Sequence, residues 1–337
     1  GFVDKLISLK THDYVLFFSN KGKVYRMKGY EIPEYSRQSK GLPIINLLQL
    51  DKDENISSIL KISKDDEDTK YLVFTTKNGN IKRTAIEEFE SIRKTGKIAI
   101  LLKENDELIS VKKTCGKNEI VIGASNGRMV RFLEDEVRVM GRNTSGVKGI
   151  DLDGAYVVGS ESITSSDTIL IVTENGYGKI SSIDEYRLTH RGSKGVKAYN
   201  VTDKNGMMVA LKSVVTGDYD MVIVTDSGIV IRMPLEQVPT LRRATQGVRI
   251  MKVADDEKVA AITKIKKEEE ELEDLENKMN ENEIIKDYMM KNQELNQVLE
   301  AVNMMITSAL SDNSQNGGCS SCSSDCDDGS CCSSCGM

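Results

Sequence analysis

The chain has no tryptophan, two histidines and four prolines in 337 residues, and aromatic residues make up only 5% of it. No apolar run approaches the ~20 residues of a membrane-spanning helix, so no membrane association is expected. No charged-then-apolar leader opens the chain. The opening residue is Gly1 rather than Met, which points to a fragment or a processed product. The scarcity of histidine narrows the chemistry: His12 precedes a strand pattern, His190 sits beside Arg191, and neither has a nucleophile close in sequence. No phosphate-binding P-loop, His-Glu-x-x-His or calcium-loop pattern occurs. Six of the seven cysteines crowd into 319–335 and only Cys115 lies elsewhere. The body is therefore not stapled by disulfides, which suits a reducing cytoplasm, and Cys115 reads as a core thiol. Tyr25 and Tyr71 fall on strand patterns and read as packing.

What the chain does have is a repeat. Hairpin-type glycines stand at Gly22, Gly79, Gly127, Gly176 and Gly228, each followed by a second glycine at Gly41, Gly96, Gly146, Gly195 and Gly247. The spacing within pairs is 19, 17, 19, 19 and 19 residues, and successive repeats start 57, 48, 49 and 52 residues apart. That period is the size of a propeller blade. In the second repeat, Tyr71 to Thr75 is β-branched and aromatic, Asn78-Gly79 is a strong hairpin signal, and Ile81 to Ala85 returns. A third strand is expected from Ile98 to Leu102 and a fourth from Leu108 to Lys112, giving four per blade. The tryptophan-aspartate type of blade is excluded by composition. A plain β-sandwich would not repeat the same loop every fifty or so residues.

Charge divides the chain. Residues 267–337 hold 4 of the 46 Lys and Arg and 16 of the 52 Asp and Glu, a net of −12, which leaves 1–266 at +6. A basic body with an acidic tail is the asymmetry of nucleic-acid proteins that carry an electrostatic regulator. A solubilising tail on an ordinary surface has the same composition. Cations and hydroxyls gather around each second glycine. Arg37 and Lys40, with Ser36 and Ser39, precede Gly41; Arg93, Lys94, Thr95 and Lys97 surround Gly96; Arg142, Thr144, Ser145 and Lys148 surround Gly146. Arg191, Ser193, Lys194 and Lys197 surround Gly195, and Arg242, Arg243, Thr245 and Arg249 surround Gly247. Phosphate recognition uses this mixture: guanidinium and ammonium groups for charge, hydroxyls and glycine amides for hydrogen bonds, and glycine for close approach. One such loop reads as a solvated turn. Five in register read as a basic belt that tracks duplex backbone without reading sequence. No aromatic residues interleave, so a single-strand reader is a poorer match. Bending 20–30 base pairs by 40–90° costs roughly 1–6 kcal/mol, so many phosphate contacts must share the load.

The stretch THDYVLFFSNKGKVYRMKGYEIPEYSRQSKGLPIINLLQL, with KTGKIAILL, VRVMGRNTSGVKGIDL, ENGYGKISSIDEY and RRATQGVRIMKVADDEKV, strongly resembles the C-terminal domain of the DNA gyrase A family of type II topoisomerases. The likeness runs from about Phe2 to Ile265. The related topoisomerase IV A family shares the blade plan, but the regular loops are more similar to gyrase. The resemblance implies an all-β, six-bladed β-pinwheel, a propeller whose blades exchange strands with their neighbours. Five full repeats are visible, and Phe2 to Leu9 look like the closing strand of a first blade. It implies non-catalytic binding and wrapping of double-stranded DNA, in support of ATP-dependent negative supercoiling by the whole enzyme. The implied partners are the gyrase A breakage-reunion domain and the gyrase B subunit in a heterotetramer, on the chromosome in the cytoplasm. The family's wrapping box, a Gln-Arg-Arg-Gly-Gly-Lys-Gly type sequence, is absent from this chain, as are the catalytic tyrosine, the metal-binding acidic cluster and the ATPase motifs. No cofactor is expected in this chain; Mg²⁺ and ATP are implied for the parent enzyme. The alternatives are the C-terminal domain of a topoisomerase IV A subunit and a propeller that docks other proteins.

Three segments are therefore expected: 1–266 as the DNA-binding pinwheel, 267–310 as an acidic, helical tail, and 311–337 as a Gly-, Ser- and Cys-rich low-complexity end. Within the tail Ile285, Tyr288, Asn292, Leu295, Leu299, Val302, Ile306 and Ala309 alternate spacings of 3 and 4, the seam of a helix. It would lie on the pinwheel or pair with another helix. Cys319 and Cys322, and Cys332 and Cys335, have zinc-ligand spacing with a short gap between the pairs. A disordered end and weak metal binding are both open readings.

Overall fold

The computed structural model describes residues 7, 9–35, 39, 41–63, 66, 68–93, 95–163, 167–215, 219–254, 257–266 and 291. The chain divides into two units, Gly1–Lys267 and Glu268–Met337. The expected tail helix and the four zinc-spaced cysteines lie outside the described residues, as does almost all of Phe2 to Leu9.

Among the described residues, nineteen strands are built from five repeats. The first repeat gives β1 (Tyr14–Ser19), β2 (Lys23–Lys28) and β3 (Ile56–Ile62), and the second gives β4 (Tyr71–Thr76), β5 (Asn80–Ala85), β6 (Lys97–Ile98) and β7 (Leu108–Thr114). The third gives β8 (Glu119–Ala124), β9 (Arg128–Leu133), β10 (Val147–Lys148) and β11 (Val157–Ile163). The fourth gives β12 (Thr168–Thr173), β13 (Tyr177–Ser182), β14 (Val196–Lys197) and β15 (Met208–Val214). The fifth gives β16 (Tyr219–Thr225), β17 (Val230–Pro234), β18 (Val248–Arg249) and β19 (Val259–Lys266).

The loop strands do not stay in their own blades. β6 pairs with β2, β10 with β5, β14 with β9 and β18 with β13, so each repeat after the first completes the sheet of the repeat before it. This is the exchange between neighbouring blades that the resemblance implies, and it moves the third strand of each repeat after the first out of its own sheet. The stretch from Ile98 to Leu102 contributes only a two-residue strand, Lys97–Ile98, and contributes it elsewhere. Four sheets have four strands and the last, β17-β16-β19, has three. The described residues thus form five blades of a propeller-like ring, one for each repeat visible in the sequence. At the sheet edge away from the loop strands, β3, β7, β11, β15 and β19 contact one another in series and wall the ring's centre.

Apolar side chains on both sheet faces explain the stacking: β4, β8 and β12 bury five of their six residues each. The cores lie between blades rather than within them. Phe18 of the first blade meets Phe74 and Phe89 of the second at 5.5 and 6.1 Å between ring centroids, a geometry that favours edge-to-face contact. Equivalent clusters fill the later interfaces, with Ile122 and Val157 in one and Met208 and Leu211 in the next. A buried carboxylate fixes the junction of blades two and three. Glu134 accepts from Arg83 Nη1 at 3.3 Å, Thr114 Oγ1 at 3.0 Å and the Asn118 amide at 3.1 Å.

The paired glycines exist for this exchange. The Gly127 carbonyl accepts the Ala198 and Tyr199 amides of the next repeat at 2.8 and 3.0 Å. Gly195, at φ 68°, lies where a Cβ would stand 2.2 Å from the Met129 oxygen. Close approach to a neighbouring blade is what this second glycine serves. At the ends of the series neither glycine is seated: a Cβ on Gly41 or Gly228 would meet nothing within 4 Å. Ile229, Val230 and Ile231 at the unpaired β17 edge are correspondingly exposed.

Candidate nucleic-acid interface

Because each loop strand joins the outer edge of the preceding sheet, the second to fifth basic loops come together along the rim. Three junctions repeat the same contacts. The arginine four residues before the loop glycine reaches back to a carbonyl of the previous loop: Arg142 Nη1 to Ile98 O at 3.3 Å, Arg191 Nη1 to Lys148 O at 3.3 Å, and Arg243 Nη1 to Lys197 O at 3.2 Å. In return the preceding repeat donates a backbone amide forward: Leu101 N to Thr144 O at 3.0 Å, Asp151 N to Ser193 O at 2.9 Å, and Asn200 N to Thr245 O at 3.1 Å. The four loops therefore form one continuous ribbon, with cations held at each seam. Carbonyl oxygens satisfy guanidinium N–H groups without cancelling their charge, and a guanidinium has five such donors.

The candidate cations differ in how they are engaged. Among the described residues Arg93, Lys197 and Arg242 are exposed and have no side-chain partner. Arg249 donates to the Tyr177 hydroxyl at 3.1 Å and lies 5.3 Å from that ring's centroid. Others face carboxylates: Arg142 with Glu88 at 3.2 Å, Lys148 with Asp151 at 2.8 Å and Lys194 with Asp153 at 2.9 Å. The Lys194 pair is solvent-exposed; its hydrogen bond and charge hold Asp153 below the usual carboxylate range. Arg191 Nε donates to the Glu136 carbonyl at 2.9 Å, and Lys97 to the Ser91 carbonyl. Arg37, Lys40 and Lys94 lie outside the described residues.

Two expectations change. The loop hydroxyls are donated inward rather than outward, as Thr144 Oγ1 binds Gly141 O at 3.0 Å, Ser193 Oγ binds His190 O at 2.8 Å and Thr245 Oγ1 binds Arg242 O at 2.9 Å. Each closes a turn that holds the loop's shape. Cys115 is half-buried, with Sγ 2.9 Å from Asn118 Oδ1, rather than a core thiol. His190 is exposed and pairs with Glu136 at 3.2 Å. Tyr25 is buried as expected, with its hydroxyl on Glu54 at 2.9 Å. Burial and that contact push its pKa up.

Two functional candidates escaped the sequence reading. Lys82 and Lys179 are fully buried beneath the rim. Lys82 Nζ donates to Ala99 O at 2.5 Å, Arg142 O at 2.7 Å and Gly141 O at 3.2 Å. Lys179 Nζ donates to Arg242 O at 2.8 Å, to Arg243 O, and to Thr245 Oγ1 at 3.3 Å. Burial, reinforced by the Arg142 charge, pushes Lys82 down to about 7. Burial pushes Lys179 down to about 8, with Glu185 opposing and Arg243 assisting. The available signal was a lysine three residues past the hairpin glycine, on a strand otherwise closed to water.

Among the described residues no group of three His, Cys, Asp or Glu side chains is placed to hold a metal, and no helix is long and apolar enough to cross a membrane.

A family model described as the DNA gyrase C-terminal domain, beta-propeller, matches residues 13–63, 70–115, 118–163, 167–214 and 219–266, one segment per blade. The A subunit of DNA gyrase from Staphylococcus epidermidis is 46% identical over 272 residues, covering 80% of this chain and 30% of that protein. The Staphylococcus aureus protein of the same name is 45% identical over 285 residues, covering 84% and 31%. The chain thus spans about a third of these relatives' length. Among solved structures, the C-terminal domain of DNA topoisomerase IV superposes with a TM-score of 0.70 at 26% identity over 77% of this chain and 80% of that one. A DNA gyrase A C-terminal domain superposes with a TM-score of 0.64 at 28% identity over 76% and 84%.

Proposed function

The chain belongs to the DNA gyrase C-terminal domain family of β-propellers, and from that premise we propose that its rim binds duplex DNA and bends it around the domain. The observation that carries this is the chain of arginine-to-carbonyl junctions, which turns separate basic loops into one curved ribbon. Arg93, Lys197 and Arg242 supply unneutralised charge along it, and Arg142, Arg191 and Arg243 mark its seams. Contacts of this kind position phosphates and carry no sequence information, as suits a domain that must accept any duplex. By their places in the sequence beside Gly41 and Gly96, Arg37, Lys40 and Lys94 are assigned to phosphate contact as well.

In the whole protein the bent duplex would be presented to a gyrase A breakage-reunion domain working with the gyrase B subunit, in the cytoplasm and on the chromosome. Cleavage, ATP and Mg²⁺ belong to those parts; this chain contributes binding and geometry. The net charge of −12 over 267–337 opposes DNA binding in this reading, since like charge on the same chain repels the phosphates.

The test is DNA affinity against salt for the full chain and for a chain ending at Lys266. Four to six phosphate contacts give a slope of about −4 to −5 on a log–log plot, with tighter binding by the shorter chain. Affinity that ignores salt, or no affinity in either form, overturns the proposal.

A further inference from the structure

Lys82 and Lys179 occupy one position, three residues past the hairpin glycine, in blades two and four; the other blades have Tyr25, Val130 and Ile231 there. A buried ammonium without acidic partners in contact is a costly choice for a strand. Both lysines direct three N–H groups at three oxygen atoms, and most of those atoms are loop backbone of the following repeat. An ammonium has three donors and no acceptor, so the match is complete only while the group is charged. Each also lies near an aromatic face, Lys82 at 5.3 Å from the Phe74 centroid and Lys179 at 5.4 Å from that of Tyr199.

We propose that Lys82 and Lys179 are positioning residues of the nucleic-acid interface, each clamping the backbone of the next repeat's basic loop so that Arg142 or Arg243 stays at its seam. The proposal rests on the DNA-binding reading above. It makes loops three and five a class apart from loop four, which sits over Val130 with only apolar contact from that position.

The clamp carries a coupling. Lys82 is faced by Arg142, which disfavours its charge, and by Glu88, which favours it. Lys179 is faced by Arg243 and Glu185 in the same two senses. A phosphate drawn to Arg142 or Arg243 offsets the repulsion, so the lysine beneath gains proton affinity and DNA binding takes up a proton. The sign follows: the lysine is depressed in the unbound protein, so binding is undiminished below that value and weakens as pH rises through about 7 to 8. A neutral amine has two donors and a lone pair that points at a carbonyl oxygen, which loosens the loop.

The experiment uses the full chain, with Lys82→Met and Lys179→Met singly and together; methionine preserves bulk and removes charge. Amide hydrogen exchange without DNA is expected to quicken about tenfold over 140–146 in K82M and over 241–247 in K179M, with 190–196 unchanged. Affinity for a duplex is expected to fall about tenfold from pH 6.5 to 8.5 in the wild type and to stay level in the double variant. Should the variants fail to fold, lysine Cε resonances of the wild type serve instead: two are expected to titrate near pH 7 to 8 and to move upward when duplex is added. Unchanged exchange at both loops, an equal pH slope in the double variant, or lysines that all titrate above pH 10 would overturn the proposal. Wild-type protein that binds no duplex would sink the DNA reading, while hydrogen exchange still decides whether the lysines hold the loops.

Discussion

Substituting Gly195 by alanine measures how tightly a loop is seated, because Gly41 offers a matched control. The two glycines have nearly the same backbone angle, φ 68° and 69°. Any side chain in that region costs roughly 1–2 kcal/mol, and this cost is common to both variants. Their surroundings differ. A Cβ on Gly195 would lie 2.2 Å from the Met129 oxygen and 2.6 Å from its carbonyl carbon, while one on Gly41 meets nothing within 4 Å. The Met129 carbonyl would have to retreat by about 1 Å to restore van der Waals contact. That movement pulls apart the pairs Val196↔Met129 and Lys197↔Arg128 and strains the Ala198 and Tyr199 amides that bond Gly127 at 2.8 and 3.0 Å. With each backbone bond contributing about 1 kcal/mol net, Gly195→Ala should cost about 2–4 kcal/mol more than Gly41→Ala. The assay is urea unfolding of both variants, read as the midpoint shift at constant slope. Equal midpoints would refute the argument that loop four is locked into the preceding blade by close backbone contact.

Three further outcomes follow from the same contacts. Removing Arg93, Lys197 or Arg242 singly should each flatten the salt dependence of DNA affinity by about one unit. Lys194→Ala should flatten it less, since its ammonium already faces Asp153 at 2.9 Å; equal losses across all four variants would show that the partnered lysine contributes as fully. Glu134→Ala leaves Arg83 buried without its carboxylate and should destabilise the domain by about 3–5 kcal/mol in denaturant melts, whereas a loss under 1 kcal/mol would place the Arg83–Glu134 pair at the surface. Against the upward pull of burial, Glu174 is held below its usual range by Lys258 at 2.8 Å and by the Met207 amide. Its contribution is present at neutral pH and is lost as pH falls through that depressed value. Glu174→Gln should therefore flatten the stability profile on the acid side, and an unaltered profile would dismiss the contact.

Much of the interface was legible beforehand because its signals are local. A hairpin needs a residue with positive φ, so five glycines in register with β-branched runs mark five blades. The turns are still not the tight two-residue kind that Asn78-Gly79 suggests. Only Gly79 has positive φ there, the asparagine does not, and the Gly79 amide closes the turn on Thr76 O at 3.0 Å. Cation clusters around the second glycine were equally plain, since charge and composition are written in the chain itself.

The amino-acid order alone determined the period, the strands, the basic loops and the acidic end, because each depends on residues a few positions apart. Only the tertiary structure decided which neighbouring sheet each loop strand joins and in what register, and with that everything that makes the loops a single surface. Lys97 and Ile98 find β2 more than seventy residues away from them in chain terms, and no local pattern distinguishes that sheet from their own. The same non-local pairing turned Thr144, Ser193 and Thr245 inward to brace their turns, and set Arg142, Arg191 and Arg243 across the seams. It also buried two lysines under loops that the sequence places some sixty residues further on. Backbone carbonyls made those choices, and backbone carbonyls are the same in every sequence until the fold has aimed them.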